Sequence, residues 1–385
     1  MKKIDFDKKI FTEKLFIWFE RNKRDLPWRK TYSPYHVWIS EMMLQQTQMD
    51  RGVQYFNRWI QEFKCPNDIA DASIEKVLQL WEGLGYYSRA KNIYQAACSI
   101  RDEYSGSIPC DEEKIKKLAG IGDYTLCAIM GIAFEKNYAT IDANVERVFA
   151  RLFNCTEKNL KKAIKPLVQE LLPKGQARTY NQALMELGAL VCKKIPQCKS
   201  CPLISFCESN KLGIEKERPV PKEKKVMLPV LASYCIIKDT QNNELIRQRT
   251  AQKLWNTMWE YIGIDTIIFD AALSAKEKKE LARQSIVIEL AAFFKIPQAE
   301  LEEKISKDAF CIHSNYTNHN LTACFFTWQL TKQEEQHIKN TAQKYKYLWT
   351  DKTENYAMAS HHRKAHIKHT RTFPEIFATL QGKNF

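Results

Sequence analysis

The sequence predicts a multidomain chain with an all-α N-terminal half and an α+β C-terminal half, and three observations carry that prediction. Up to about Asn210 the apolar residues recur at three- and four-residue steps, as in Phe11, Leu15, Trp18 and Phe19 or Val77, Leu80, Trp81 and Leu84. From Glu215 to Pro229 the text EKERPVPKEKKVMLP is rich in charge and proline and has little to bury, which reads as an extended linker. Beyond it the period changes. PVLASYCIIKD, a DTQNN turn and ELIRQR read as a hairpin, LTACFFTWQL as another strand, and AKEKKELARQSIVIELAAFF as a helix. The expected division is therefore a helical domain over 1–214, a linker over 215–229, an α+β domain over 230–352, and a basic, His-rich tail over 353–385.

The 59 Lys+Arg outnumber the 45 Asp+Glu to give a formal net charge of +14, which favours a polyanionic partner, nucleic acid first. Charge alone does not separate that reading from an ordinary basic enzyme. No apolar run reaches the roughly 18 to 20 residues a bilayer span needs, and no secretory signal is visible. A cytoplasmic, nucleoid-associated monomer without a membrane partner is expected. The 12 cysteines of such a chain point to reduced thiols or a metal site rather than a disulfide framework.

Each element with chemical content follows in turn. Glu41 in VWISEMMLQQTQ is a carboxylate among apolar residues, a setting that raises its pKa if it is buried. LAGIGDYT, Leu118 to Thr125, lies between two helical patterns. Gly120 and Gly122 permit a tight turn there that leaves N–H groups at the start of the second helix, a helix-hairpin-helix pattern suited to DNA phosphates. Asp142 in TIDANVERVFAR reads first as an N-cap. With Glu41 it also makes a carboxylate pair of the kind that glycosidic cleavage uses, one protonated and one ionised. Cys192, Cys198, Cys201 and Cys207 fall within sixteen residues, and four such thiolates suit a tetrahedral zinc or a cubane cluster. HHRKAHIKHTR, His361 to Arg371, reads as a solvated charge run or an added backbone contact.

LPWR (26–29), SEMMLQQTQ (40–48), WEGLGYYSRA (81–90), LAGIGDYT, IDANVERVFAR, NQALMELGALVC (181–192) and the four cysteines, in that order, resemble the adenine DNA glycosylases of the MutY type over about 200 residues. The resemblance implies a helix-hairpin-helix glycosylase domain with a [4Fe-4S] cluster in the loop 192–207. It implies base-excision repair of adenine opposite 8-oxoguanine or guanine in double-stranded DNA. It implies that Glu41 protonates the flipped adenine and Asp142 stabilises the sugar cation. Tyr124 stands where the related endonuclease III proteins carry a Schiff-base lysine, which implies a monofunctional enzyme. The same likeness places Arg24, Leu26, Trp28 and Glu186 about the extruded base, and Gln46, Thr47 and Tyr86 at the gap and the opposite base. Arg29, Gln48 and Asn144 are further expected substrate- or DNA-binding residues.

The C-terminal half resembles, less closely, the Nudix-like 8-oxoguanine-recognition domain of that family, through RQRTAQKLWNTMWEYIG (247–263) and YAMASHHRKA. No pyrophosphohydrolase box is present, which implies a reading module. Three departures matter: the first cysteine spacing is one residue short, Ala143 replaces a glycine, and Tyr316, Thr317 and Asn318 replace a Phe-Ser-His loop. An endonuclease III-like lyase on oxidised pyrimidines and a non-catalytic DNA-binding protein are the rival readings.

Overall fold

The computed structural model describes residues 3–221, 226–249, 255–270, 272–342 and 346–372. Parts of the linker (222–225), of the 247–263 stretch (250–254) and of the tail (373–385) lie outside the described residues. The chain forms two compact units, Met1–Leu80 with Ser88–Glu223, and Trp81–Tyr87 with Lys224–Phe385. No helix among the described residues is long and apolar enough to cross a membrane.

The first unit is helical, as its periodicity predicts. Its helices are α1 (Lys8–Asn22), α2 (Pro34–Leu44), α3 (Met49–Glu62), α4 (Pro66–Asp71), α5 (Ile74–Trp81), α6 (Ser88–Glu103), α7 (Glu112–Lys117), α8 (Asp123–Ala128), α9 (Ala143–Leu152), α10 (Leu160–Glu170), α11 (Ala177–Leu190) and α12 (Glu208–Lys211). Phe11, Leu15 and Phe19 bury one stripe of α1 against Val145, Phe149, Leu184 and Leu187 of α9 and α11. The four cysteines follow directly on α11, so this core also supports their loop.

The second unit contains a six-stranded mixed sheet of order β4-β5-β1-β3-β2-β6. Its strands are β1 (Leu228–Lys238), β2 (Glu244–Gln248), β3 (Trp259–Ile267), β4 (Phe310–Tyr316), β5 (His319–Gln329) and β6 (Tyr347–Thr350). Central β1 runs parallel to β5 and antiparallel to β3. Its alternate residues enter two cores. Leu231, Cys235 and Ile237 meet α13 (Ala275–Phe294), while Val230, Ala232, Tyr234 and Ile236 face the side of Met358 and Ala365. Cover on both faces explains why β1 reads as a continuous apolar run. The expected β1–β2 hairpin is largely corrected: those strands pair only at Lys238 and Glu244, and β2 ladders mainly with β3 and β6.

Two sequence boundaries also shift. Glu215 to Arg218 is not free linker, because Arg151 Nε donates to the carbonyls of Glu215 (2.7 Å) and Arg218 (2.9 Å). The described part of the tail is not a solvated charge run. After α14 (Gln298–Lys304) and α15 (Lys332–Ala342), residues Ser360–Thr372 form helix α16, and His361, His362 and His369 are buried. Burial pushes His361 down to about 3 and His369 to about 4. These imidazoles are therefore neutral aromatic surface near neutrality, and His362 packs edge-on to Tyr234 at 4.3 Å.

Inside this unit Arg249 is buried between the carboxylates of Glu260 and Asp265, and Tyr234 Oη donates to Asp265 at 2.8 Å. Removing the shared cation leaves buried carboxylates undercompensated. Arg249→Met is expected to destabilise this unit by about 3–5 kcal/mol in denaturant unfolding. A loss under about 1 kcal/mol would show that the cluster is not held by its charge.

Candidate active site

Helix α2 starts on Ser33, whose Oγ accepts from His36 N at 3.1 Å, with Pro34 in its first turn. Every residue from Val37 to Met43 is buried, so Glu41 is carried out of bulk water with its neighbours and meets only the cleft. Burial raises the Glu41 carboxyl to about 7; the Tyr124 hydrogen bond partly opposes this, and the charge of Asp142 adds to it. Tyr124, on α8, donates its hydroxyl to Glu41 Oε2. Burial, Glu41 and Asp142 keep that phenol well above its usual value, so it stays a donor.

Asp142 is both the cap and the second carboxylate. Its Oδ1 accepts from Val145 N at 2.7 Å and its Oδ2 from Asn144 Nδ2 at 2.7 Å. Burial raises its pKa against these two bonds. Ala143 simply opens α9 at a backbone setting open to any residue, so the missing glycine leaves the cap intact. Asn144 Oδ1 accepts from Arg147 Nη2 at 2.8 Å, and Arg147 Nε donates to the Cys192 carbonyl at 2.7 Å. One hydrogen-bonded path therefore runs from Asp142 to the cysteine loop.

Both carboxylates open on one cleft of about 770 Å³, which is also lined by Arg24, Leu26, Trp28, Arg29, Gln46, Thr47, Gly120, Gly122, Tyr124, Asn144 and Glu186. Trp28 is at once wall and core, packed edge-on against Phe56 at 5.2 Å. Arg24 Nε and Arg29 Nη2 bind the fully buried Glu186 at 2.9 and 2.7 Å. Glu186 therefore fixes two guanidiniums at the wall of the cleft. Among the described residues Arg29 Nε has no hydrogen-bond partner. Gln46 holds a left-handed φ of 58°, and buried Arg89 steadies that bend by donating Nη1 to the carbonyls of Met42 (2.6 Å) and Gln45 (2.8 Å). Gly120 (φ 76°) makes the hairpin turn where a Cβ would lie 2.5 Å from Asn92 Cβ.

Other residues of the sequence reading stand elsewhere. Gln48 is the exposed N-cap of α3 and does not line the cleft. Tyr86, exposed and with φ 49°, belongs to the segment grouped with the second unit. Tyr316 closes β4 and stacks on His319 at 5.0 Å, with Thr317 and Asn318 as the turn. The sequence reading missed Gln182 and Lys161, which line the cleft. Gln182 lies four residues before Glu186 on α11, so helical spacing could have found it. Lys161 carries no such signal.

Among the described residues no three Cys, His, Asp or Glu side chains converge tightly enough to hold a metal ion. Cys192, Cys198, Cys201 and Cys207 nevertheless line one recess with Val191, Pro196, Ile204 and Arg151, and none is in a disulfide. Arg151 Nη1 donates to Cys192 Sγ at 3.3 Å. A shared recess, four thiols and an adjacent cation fit an anionic thiolate-ligated group.

The raised carboxyl of Glu41 carries a stability consequence. Its folded pKa lies above the unfolded value of 4.5, so its contribution is complete below 4.5 and is lost as pH rises through about 7. Glu41→Gln should therefore stabilise the protein at pH 8, by roughly 2–4 kcal/mol, and leave stability nearly unchanged below pH 4.5. Thermal unfolding at the two pH values checks this, and an equal effect at both would place the carboxylate in water.

Residues 39–174 match a family described as HhH-GPD superfamily base excision DNA repair protein. An adenine DNA glycosylase of Buchnera aphidicola subsp. Schizaphis graminum (strain Sg) is 33% identical over 265 residues, 67% of this chain and 76% of that protein. Another, of Buchnera aphidicola subsp. Acyrthosiphon pisum (strain APS), is 35% identical over 260 residues, 66% and 73% of the two chains. A solved thermostable thymine-DNA glycosylase matches with a TM-score of 0.50 and 30% identity, over 53% of this chain and 97% of that one. With a helix-hairpin-helix turn beside the buried Glu41 and the half-buried Asp142, these likenesses place the chain in the adenine DNA glycosylase family of base-excision repair enzymes, of the MutY type.

Proposed function

We propose that the chain is a monofunctional glycosylase that hydrolyses adenine from adenine:8-oxoguanine and adenine:guanine mispairs in duplex DNA. The carrying observation is the Tyr124–Glu41 pair facing Asp142 in one cleft. Hydrolysis of a purine glycosidic bond needs a proton for the departing base and negative charge for the sugar. Glu41, pushed up to about 7 by burial, is partly protonated at neutral pH. Tyr124 occupies Oε2, which leaves Oε1 to deliver the proton to adenine. Asp142 carries the negative charge, its two oxygens aimed by Val145 and Asn144. Water completes the reaction at the sugar. Arg29, fixed by Glu186, lines the pocket for a flipped base, and Trp28 supplies an apolar wall.

Gln46 and Thr47 are the residues proposed to fill the vacated stack, with Tyr86 and Gln48 at the opposite base. Phosphates are proposed to sit at the Gly120–Gly122 hairpin. Cys192, Cys198, Cys201 and Cys207 would hold a [4Fe-4S] cluster, which when bound supplies an anionic, electron-carrying centre that shapes the 192–207 loop. The second unit is read as a Nudix-like module in which Tyr316, Thr317 and Asn318 meet 8-oxoguanine. Asn318 offers both a donor and an acceptor but does not titrate.

A second reading, base release coupled to strand cleavage, is favoured by one observation: Lys161 lines the same cleft. Single-turnover assays on duplexes with adenine opposite 8-oxoguanine, guanine or thymine separate the two. Strand breaks that need hot alkali, fastest opposite 8-oxoguanine, are expected. Alkali-independent breaks, with a borohydride-trapped adduct lost in Lys161→Ala, would establish the second reading. The rate of base release should fall as pH rises through about 7, approaching tenfold per unit above it, because only protonated Glu41 is active. A flat profile between pH 6 and 9 would remove Glu41 as the acid. Glu41→Gln should abolish excision while leaving mispair binding within a few-fold.

A further inference from the structure

We propose that Cys311 and Cys324 form a redox modification site in the second unit, where a hydroperoxide converts two thiols into a reversible disulfide. The two residues are direct partners in the antiparallel β4–β5 ladder. Their sulfurs stand 2.8 Å apart as free thiols. Opposed residues of an antiparallel pair have Cα atoms about 4.5 or 5.5 Å apart, inside the range of about 4.4–6.8 Å that disulfides take. The bond can therefore close without moving the backbone, which most pairs of cysteines in a folded chain cannot do.

The two sulfurs are not equivalent. β4 is the edge strand of the sheet, and Cys311 on it is only partly buried. Cys324 is fully buried in the core under α13. Cys311 is thus the thiol that meets a solute, and Cys324 the one sheltered behind it. Their hydrogen bond, followed by the charges of Lys279 and Lys368, favours the thiolate at Cys311 and draws it down to about 7 against the effect of burial.

The chemistry balances with a hydroperoxide as oxidant. The Cys311 thiolate attacks the terminal peroxide oxygen, so an S–O bond forms, the O–O bond breaks, and the departing oxygen takes up a proton. Cys324 then attacks the sulfenic sulfur. The S–S bond forms, the S–O bond breaks, and hydroxide leaves as water with the proton of Cys324. Two thiols lose two electrons and two protons, and the peroxide gains them. A small dithiol reverses the change by exchange. The bond would staple edge strand β4 to β5 in the stem of the hairpin that carries Thr317 and Asn318 at its turn.

No Lys or Arg lies between Lys307 and Lys332, so both thiols fall in one tryptic peptide, 308–332. The full chain is treated with graded hydrogen peroxide, alkylated, digested and weighed. The expected product is this peptide two hydrogens lighter and unalkylated, returning to the doubly alkylated form after dithiothreitol. In Cys324→Ser, dimedone should capture a sulfenic acid at Cys311; the wild-type measurement stands without that variant. The proposal is overturned if the peptide stays doubly alkylated while other cysteines oxidise. It is equally overturned if Cys311 proceeds to sulfinic acid with Cys324 still open to alkylation.

Discussion

The site rests on the desolvation of Glu41. An exposed glutamate is ionised at neutral pH and has no proton to give a leaving base, so the fold must keep this one from water. Helix α2 does so by burying every residue from Val37 to Met43, with Glu41 among them. An isolated ionised carboxylate would be intolerable there, and the hydroxyl of Tyr124 makes the position tenable. The price is a group that destabilises the fold whenever it ionises.

A second economy lies in Asp142. Capping and catalysis are usually competing explanations for an aspartate before a helix, and here the cap is what aims the carboxylate. Since its first oxygen bonds the start of α9 and its second bonds Asn144, the charge is held rather than free to rotate. Arg147 and Arg151, one turn apart on α9, extend that order into the cysteine loop through the Cys192 carbonyl and Lys193 carbonyl. A helix that starts at one candidate centre and braces the loop of another makes their geometries interdependent.

Legibility in the sequence followed locality. Helices such as α1 were readable because they bury a single stripe, and α13 was readable from Ala275 to Phe294. Cys192, Cys198, Cys201 and Cys207 could be grouped because they are close in sequence. What escaped depends on contacts between distant segments. That Glu186 is held by Arg24 and Arg29 joins positions 162 and 157 residues apart, and no spacing rule reveals it. β1 and β2 read as a hairpin because sequence neighbours often pair, yet β1 spends its length beside β3 and β5. The histidines of α16 were counted as charge. Burial makes His361, His362 and His369 neutral, and His362 packs as a ring against Tyr234.

The second unit solves a different problem from the first. Two of its buried charged clusters are matched: Arg249 with Glu260 and Asp265, and Glu244 with Tyr261, Thr353 and His366. Burial alone would raise Glu244, but those partners bring its carboxyl down to about 2. Compensation of this kind ties each charge to a set geometry. In the first unit Glu41 and Asp142 are both raised, and both open on a cleft. The contrast follows from the partners of each carboxylate rather than from the number of charges.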